Sequence, residues 1–197
     1  IPLYKANINK EEEYHKKYDI RSVTFVTSSP LSDFAKDFHN MDSIHYKGFP
    51  IYYKSRLPFR PSIYTNNNSI EKGKMYMERD MQRTYSNYGQ LGAVMFSNIM
   101  MLEHDSLSNE LDCYIALHEN KKRSFGAELE GTNSAGDLGA ALSITYQNRN
   151  IFKGSELFSL EFRGAFEAIT GLEGYADQNY MEFSVEAGLT FPNFKLF

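Results

Sequence analysis

The sequence predicts a small α+β domain followed by an antiparallel β-meander that is part of a transmembrane β-barrel. Three observations carry this. One amphipathic helix lies among apolar, strand-like runs over residues 18 to 120; four alternating segments follow Ser124 with no helix to cover them; and 14 Tyr and 15 Phe among 197 residues suit strands. A composition 42% hydrophobic and 23% charged argues against wholesale disorder. A formal net charge of -4 gives no broad cationic field for nucleic acid, and the basic run Lys121-Lys122-Arg123 is too short to supply one. No apolar stretch approaches the ~18 residues of a transmembrane helix. The opening IPLYKANINKEEEYHKK lacks the ordered regions of a signal peptide. A spanning strand needs only ~9 to 11 alternating residues, so hydropathy is blind to it.

Residues 1 to 17 are polar, with the charge cluster Lys10-Glu11-Glu12-Glu13, and read as a linker or the end of a preceding domain. From Tyr18 the run YDIRSVTFVT is a strand that stops at Ser28-Ser29-Pro30. LSDFAKDFHNMD allows a short helix, and IHYKGFPIYYKS reads as two short strands about Gly48 and Pro50. Arg60-Pro61 opens PSIYTNNNSI, in which proline suits the first turn of a short helix and the asparagines its exit. After a turn at Lys72-Gly73-Lys74, the spacing of Met77, Met81, Tyr85 and Tyr88 predicts a helix over about Met75 to Tyr88, with Gly89 as its C′ residue. The stripe reads as core, with Met77, Met81 and Tyr85 buried against a sheet. AVMFSNIMML and ELDCYIALHE then form a hairpin across Glu103 to Asn109. The order strand, helical segment, helix, strand, strand packs as helices on a three-stranded sheet that ends near Asn120.

The remainder, 121 to 197, holds SFGAELEGT, LGAALSITYQN, ELFSLEFRGAFEA and YMEFSVEAGLTF. Each separates an apolar from a polar face: Phe125, Ala127 and Leu129 against Glu128 and Glu130; Leu138, Ala140, Leu142, Ile144 and Tyr146 against Ser143, Thr145 and Gln147; Phe158, Leu160 and Phe162 against Ser159, Glu161 and Arg163; Phe183, Val185, Ala187, Leu189 and Phe191 against Glu182, Ser184, Glu186, Gly188 and Thr190. Such a face could sit on a soluble core, but without a covering helix or second sheet lipid is its natural cover. The smallest such barrels have about eight strands, so four imply a piece of a longer chain.

Other chemistry is absent from this reading. Cys113 sits in an alternating run and reads as a small buried strand residue. The histidines His15, His39, His45, His104 and His118 lack metal spacing, and His104 beside Glu103 and Asp105 reads as a wet turn. Ser134-Ala135-Gly136 lacks the first glycine and the strand-to-helix context of a nucleophile elbow. Gly131, Gly136 and Gly139 are not a phosphate loop. Glu128 and Glu130 share a strand face and read as polar lumen lining rather than a catalytic pair. No enzyme, cofactor or metal is expected.

The junction ELDCYIALHENKKRSFGAELEGTNSAGDLGAALSITYQNRNIFKGSELFSLEFRGAFEA resembles the passage from the last POTRA domain into the barrel of the Omp85 superfamily. NRNIFKGSE is similar to the family's turn between barrel strands two and three, and Lys72-Gly73-Lys74-Met75-Tyr76 looks like its KPGxxY turn, with lysine in place of a small or acidic residue. The wording ELEGTNSAGDLG resembles TamA-like members of the Bacteroidota more than BamA. The likeness spans about two thirds of the chain. It fades over 1 to 17, and 28 to 58 are longer than a simple POTRA needs.

The resemblance implies a periplasmic POTRA-like domain (β-α-α-β-β) ahead of an outer-membrane barrel. It also implies unfolded outer-membrane proteins as clients, lipid as solvent, accessory periplasmic or lipoprotein subunits, and insertion or translocation without ATP. Client pairing is then expected at two edges: the gate strand Phe125, Gly126, Ala127, Glu128, Leu129, Glu130, Gly131 and Thr132, and the POTRA edge Met95, Phe96, Ser97, Asn98, Ile99, Met100, Met101 and Leu102, exposed beside the second helix. Gly126 and Gly131 suit an edge that opens and closes. The rival is a soluble cell-surface or periplasmic β-rich binding module; a simple pore or receptor barrel with no assembly role is a third reading.

Overall fold

A computed structural model describes residues 17–27, 40–105, 108–134, 137–169 and 178–192. Its elements run β1 (Asp19–Thr27), β2 (Asp42–Tyr46), β3 (Phe49–Tyr53), α1 (Pro61–Asn66), α2 (Glu78–Gly89), β4 (Val94–Glu103), β5 (Glu110–Glu119), β6 (Arg123–Ser134), β7 (Asp137–Arg149), β8 (Leu157–Ile169) and β9 (Gln178–Thr190). They form two sheets, of order β2-β3-β1-β5-β4 and β6-β7-β8-β9. One compact unit comprises the described residues through Leu57 with Pro61–Tyr88 and Ser97–His118. The other comprises Pro58–Arg60, Gly89–Phe96 and the described residues from Glu119 onward.

In the first sheet β1 is central and parallel to both neighbours, with Phe25 opposite Ile51 of β3 and Ile115 of β5. A strand covered on both faces loses its alternation, and Val23 through Thr27 are all buried. The sheet has five strands rather than the expected three, because 42 to 53 form an antiparallel hairpin against β1. Its two-residue turn places Lys47 and Gly48 at φ 51 and 82, the left-handed pair that hairpins favour. Ile51 is fully buried, and the rings of Phe49 and Tyr64 each lie 5.8 Å from Phe25. The short helix expected ahead of this hairpin falls mostly outside the described residues.

Proline opens α1 as expected, and Asn67 Nδ2 ties off its end by donating to Ile63 O at 2.8 Å. The long helix starts later than its spacing suggested. Residues 73 to 76 leave their turn along the start of β1: Gly73 N donates to Ile20 O, Ile20 N to Lys74 O and Tyr76 N to Tyr18 O, each at 2.7 to 2.8 Å. The backbone of Met75 is therefore committed to a bridge with Asp19, and α2 begins at Glu78. Met77 precedes the helix and is 42% exposed, a correction to its predicted burial. Met81 and Tyr85 are half-buried, while Thr84 and Tyr88 form the buried face. Thr84 Oγ1 accepts from Ser69 N and donates to Asp80 O; Tyr88 donates its hydroxyl to Tyr64 O at 2.5 Å. Gly89 ends the helix without adopting the left-handed conformation of a C′ glycine.

Cys113 is fully buried in β5, and burial pushes its thiol up to about 12. Asp112 beside it is also buried. Burial alone would raise its carboxyl, but hydrogen bonds from Arg21 at 2.5 Å and from Ser22, with the charges of Arg21 and His104, hold it below its ordinary value. His104 is half-exposed at its turn, with Nδ1 3.4 Å from Asp112.

The second sheet is a four-stranded meander. The β6–β7 ladder is unbroken from Arg123 opposite Asn148 to Ser134 opposite Asp137, and β8 and β9 continue the register.

Candidate functional site

Directly opposed residues share a face, so the register decides what each side of the meander presents. Leu129, Leu142, Gly164 and Phe183 form one row; Ala127, Ile144, Phe162 and Val185 the next; Phe125, Tyr146, Leu160 and Ala187 a third. Phe158 and Leu189 continue the same face. The other face carries Glu128, Glu130, Glu161, Arg163, Glu182 and Glu186, with Arg163 bonded to Glu130 at 2.7 Å. The apolar face is open: Phe125 is 77%, Leu129 80% and Phe183 81% exposed. At its turn end the ring of Tyr146 lies 5.0 Å from Phe125 and 6.4 Å from Phe158.

Among the described residues β6 is an edge of this sheet. Arg149 N donates to Lys122 O at 2.7 Å, which sets the phase of the antiparallel ladder. Carried along the register, the backbone groups of Gly126, Glu128, Glu130 and Thr132 hold β7, whereas those of Phe125, Ala127, Leu129 and Gly131 point away from it. Half of the predicted gate strand thus offers N–H and C=O groups unpaired among the described residues, and three of the same residues, Phe125, Ala127 and Leu129, place their side chains on the apolar face. An alanine side chain at Gly131 would meet nothing, so no close approach requires that glycine.

β4 is likewise an end strand of its sheet. Met95, Phe96, Asn98 and Leu102 are exposed and Ser97, Met100 and Met101 half-buried. Ile99, expected to be open, is buried at 9%. Its N–H donates to the Tyr85 hydroxyl at 2.9 Å, and that hydroxyl reaches Ile99 O at 3.4 Å.

The turn between β7 and β8 is the part whose structural weight the sequence concealed. Asn150, Lys153 and Ser155 adopt left-handed φ of 77, 63 and 64, which is strained for residues other than glycine. Hydrogen bonds within the same unit hold them. The buried Glu156 carboxylate accepts from Phe152 N at 3.2 Å and Gly154 N at 2.9 Å and lies 3.7 Å from Arg60; Asn150 Nδ2 donates to Pro58 O at 2.9 Å and its Oδ1 accepts from Ser155 N; Ser155 Oγ accepts from Ala93 N. NRNIFKGSE carried the resemblance, but its burial followed from nothing in its polar composition. The Ala135-Gly136 pair of the expected β6–β7 turn lies outside the described residues, and no described group of three or more His, Cys, Asp or Glu side chains is placed to hold a metal.

No family model and no curated protein matches the sequence. Among solved structures, the chain is similar to BamA from Haemophilus ducreyi lacking POTRA domains 1-3, with 8% identity and a TM-score of 0.36 over 87% of this chain and 47% of that one. It is similar also to CdiB from Acinetobacter baumannii, with 10% identity and a TM-score of 0.42 over 90% of this chain and 50% of that one. The chain spans about half the length of each.

Proposed function

We propose that this chain is the junction of an Omp85-type, TamA-like outer-membrane protein, in which a periplasmic POTRA-like domain leads into the first four barrel strands. In this reading the whole protein inserts or translocates unfolded outer-membrane clients by strand-edge pairing, with accessory subunits where the complex needs them. The observation that carries the proposal is the meander's apolar face, continuous in register across four strands of 12 or 13 residues and backed by a polar face. A water-facing sheet of this kind is an aggregation liability, whereas a barrel in lipid requires it. Strand and motif order along 18 to 134 supports the family reading.

The deciding experiment uses the full-length gene product. It should fractionate with outer membranes and require detergent, and Phe183→Arg, at mid-strand, should lower folding yield in lipid vesicles in line with a cost of ~2 to 4 kcal/mol. A product monodisperse in plain buffer, with Phe183→Arg improving its solubility, would instead identify the β-rich binding module.

The gate is tested by proline. Ala127→Pro and Leu129→Pro remove donors that face away from β7, so each should block client cross-linking to β6 while leaving the β7 ladder and the first unit folded. Glu128→Gln should change little. Full assembly activity with β6 disulfide-locked to the closing strand would rule the gate out.

A further inference from the structure

We propose that Tyr85 is a built-in competitor for strand addition at β4, holding the backbone of Ile99 until an extended client segment displaces it. This rests on the reading of β4 as a client edge and adds the residue that controls it. An incoming strand secures an edge residue by accepting from its N–H and donating to its C=O. The Tyr85 hydroxyl makes both contacts with Ile99, at 2.9 and 3.4 Å, near the middle of Val94–Glu103. The edge is therefore divided into stretches of five and four residues, neither longer than an ordinary strand of ~5.

The helix that supplies the tyrosine is fixed, since Thr84 and Tyr88 on its inner face are fully buried, so release requires only that the half-buried Tyr85 side chain turn. The exposed side chains of Met95, Phe96 and Leu102 on either side suit an extended, alternating apolar segment. An unfolded barrel strand has that chemistry. The contact thus sets a threshold: a segment long enough to gain pairing on both sides of Ile99 displaces the hydroxyl, and a short one does not.

Tyr85→Phe keeps the ring and removes the competing hydroxyl. The probe is a synthetic peptide of the chain's own β9 sequence, QNYMEFSVEAGLT, with cysteine at its Ser184 position, offered to the full-length protein in detergent. Disulfide capture is read at Asn98→Cys on β4 and, separately, at Ala127→Cys on β6. Buried Cys113 supplies no background in the folded protein. Tyr85→Phe should raise capture at β4 about fivefold, leave capture at β6 unchanged, and speed exchange of the Ile99 amide by a similar factor. Equal capture at β4 with and without the hydroxyl overturns the competitor and leaves the edge reading standing. No capture at β4 in either protein, with β6 intact, overturns both. Adducts between two copies at Asn98→Cys in place of the peptide would name a second copy as the occupant and overturn the client assignment.

Discussion

Glu156→Ala is expected to destabilise the second unit by about 3 kcal/mol or more, read as a fall in the urea midpoint of the protein in detergent. The Phe152 and Gly154 N–H groups both bond to this one carboxylate, and removing a charged acceptor costs roughly 1.5 to 3 kcal/mol per bond. The loss falls on a turn already strained at Asn150, Lys153 and Ser155, whose conformations persist only while their surroundings impose them. Alanine also removes the partner of Arg60. Glu156→Gln retains an amide oxygen for one N–H and should lose about half as much. Equal midpoints for wild type and Glu156→Ala would show that the turn is held by Asn150 and Ser155 alone.

Phe25→Ala is expected to cost about 3 to 5 kcal/mol in the first unit, the usual penalty for emptying an aromatic core position. The side chain is fully buried in the central strand, with Phe49 and Tyr64 against it, and those rings come from two other elements that cannot both close the cavity. Met77→Ala, on the stripe that spacing alone assigned to the core, should cost less than ~0.5 kcal/mol because that side chain is exposed. Comparable midpoint shifts for the two would contradict the burial that separates them.

That contrast marks the limit of what periodicity reveals. The limits of β6 to β9 lie within two residues of the alternating segments, because each strand keeps one polar face and a period of two survives intact. β1 was readable as a strand from the alternation of Val23 and Phe25 with Thr24, but the burial of Thr24, Val26 and Thr27 on its other face was not. Met77 was misplaced because backbone bonds to β1, a tertiary event, keep the preceding residues out of the helix. The two edges were readable as strands, but which N–H groups face outward depends on the phase of the ladder, and the Tyr85 contact joins residues 14 apart on a helix and a strand. Arg21 and Asp112 are 91 residues apart, beyond any local pattern.

The hairpin of β2 and β3 bears on the order in which the first unit assembles. β1 is the central strand of its sheet, yet its longer ladder is with β5, whose residues follow about 90 positions later; closing so long a loop is slow. A chain delivered amino end first would leave Val23, Phe25 and Val26 waiting for that partner with their apolar side chains uncovered. β3 arrives far sooner, placing Ile51 opposite Phe25 and Tyr52 opposite Val26. The hairpin thus gives β1 an early companion from its own chain, which covers one of its edges before β5 arrives to cover the other.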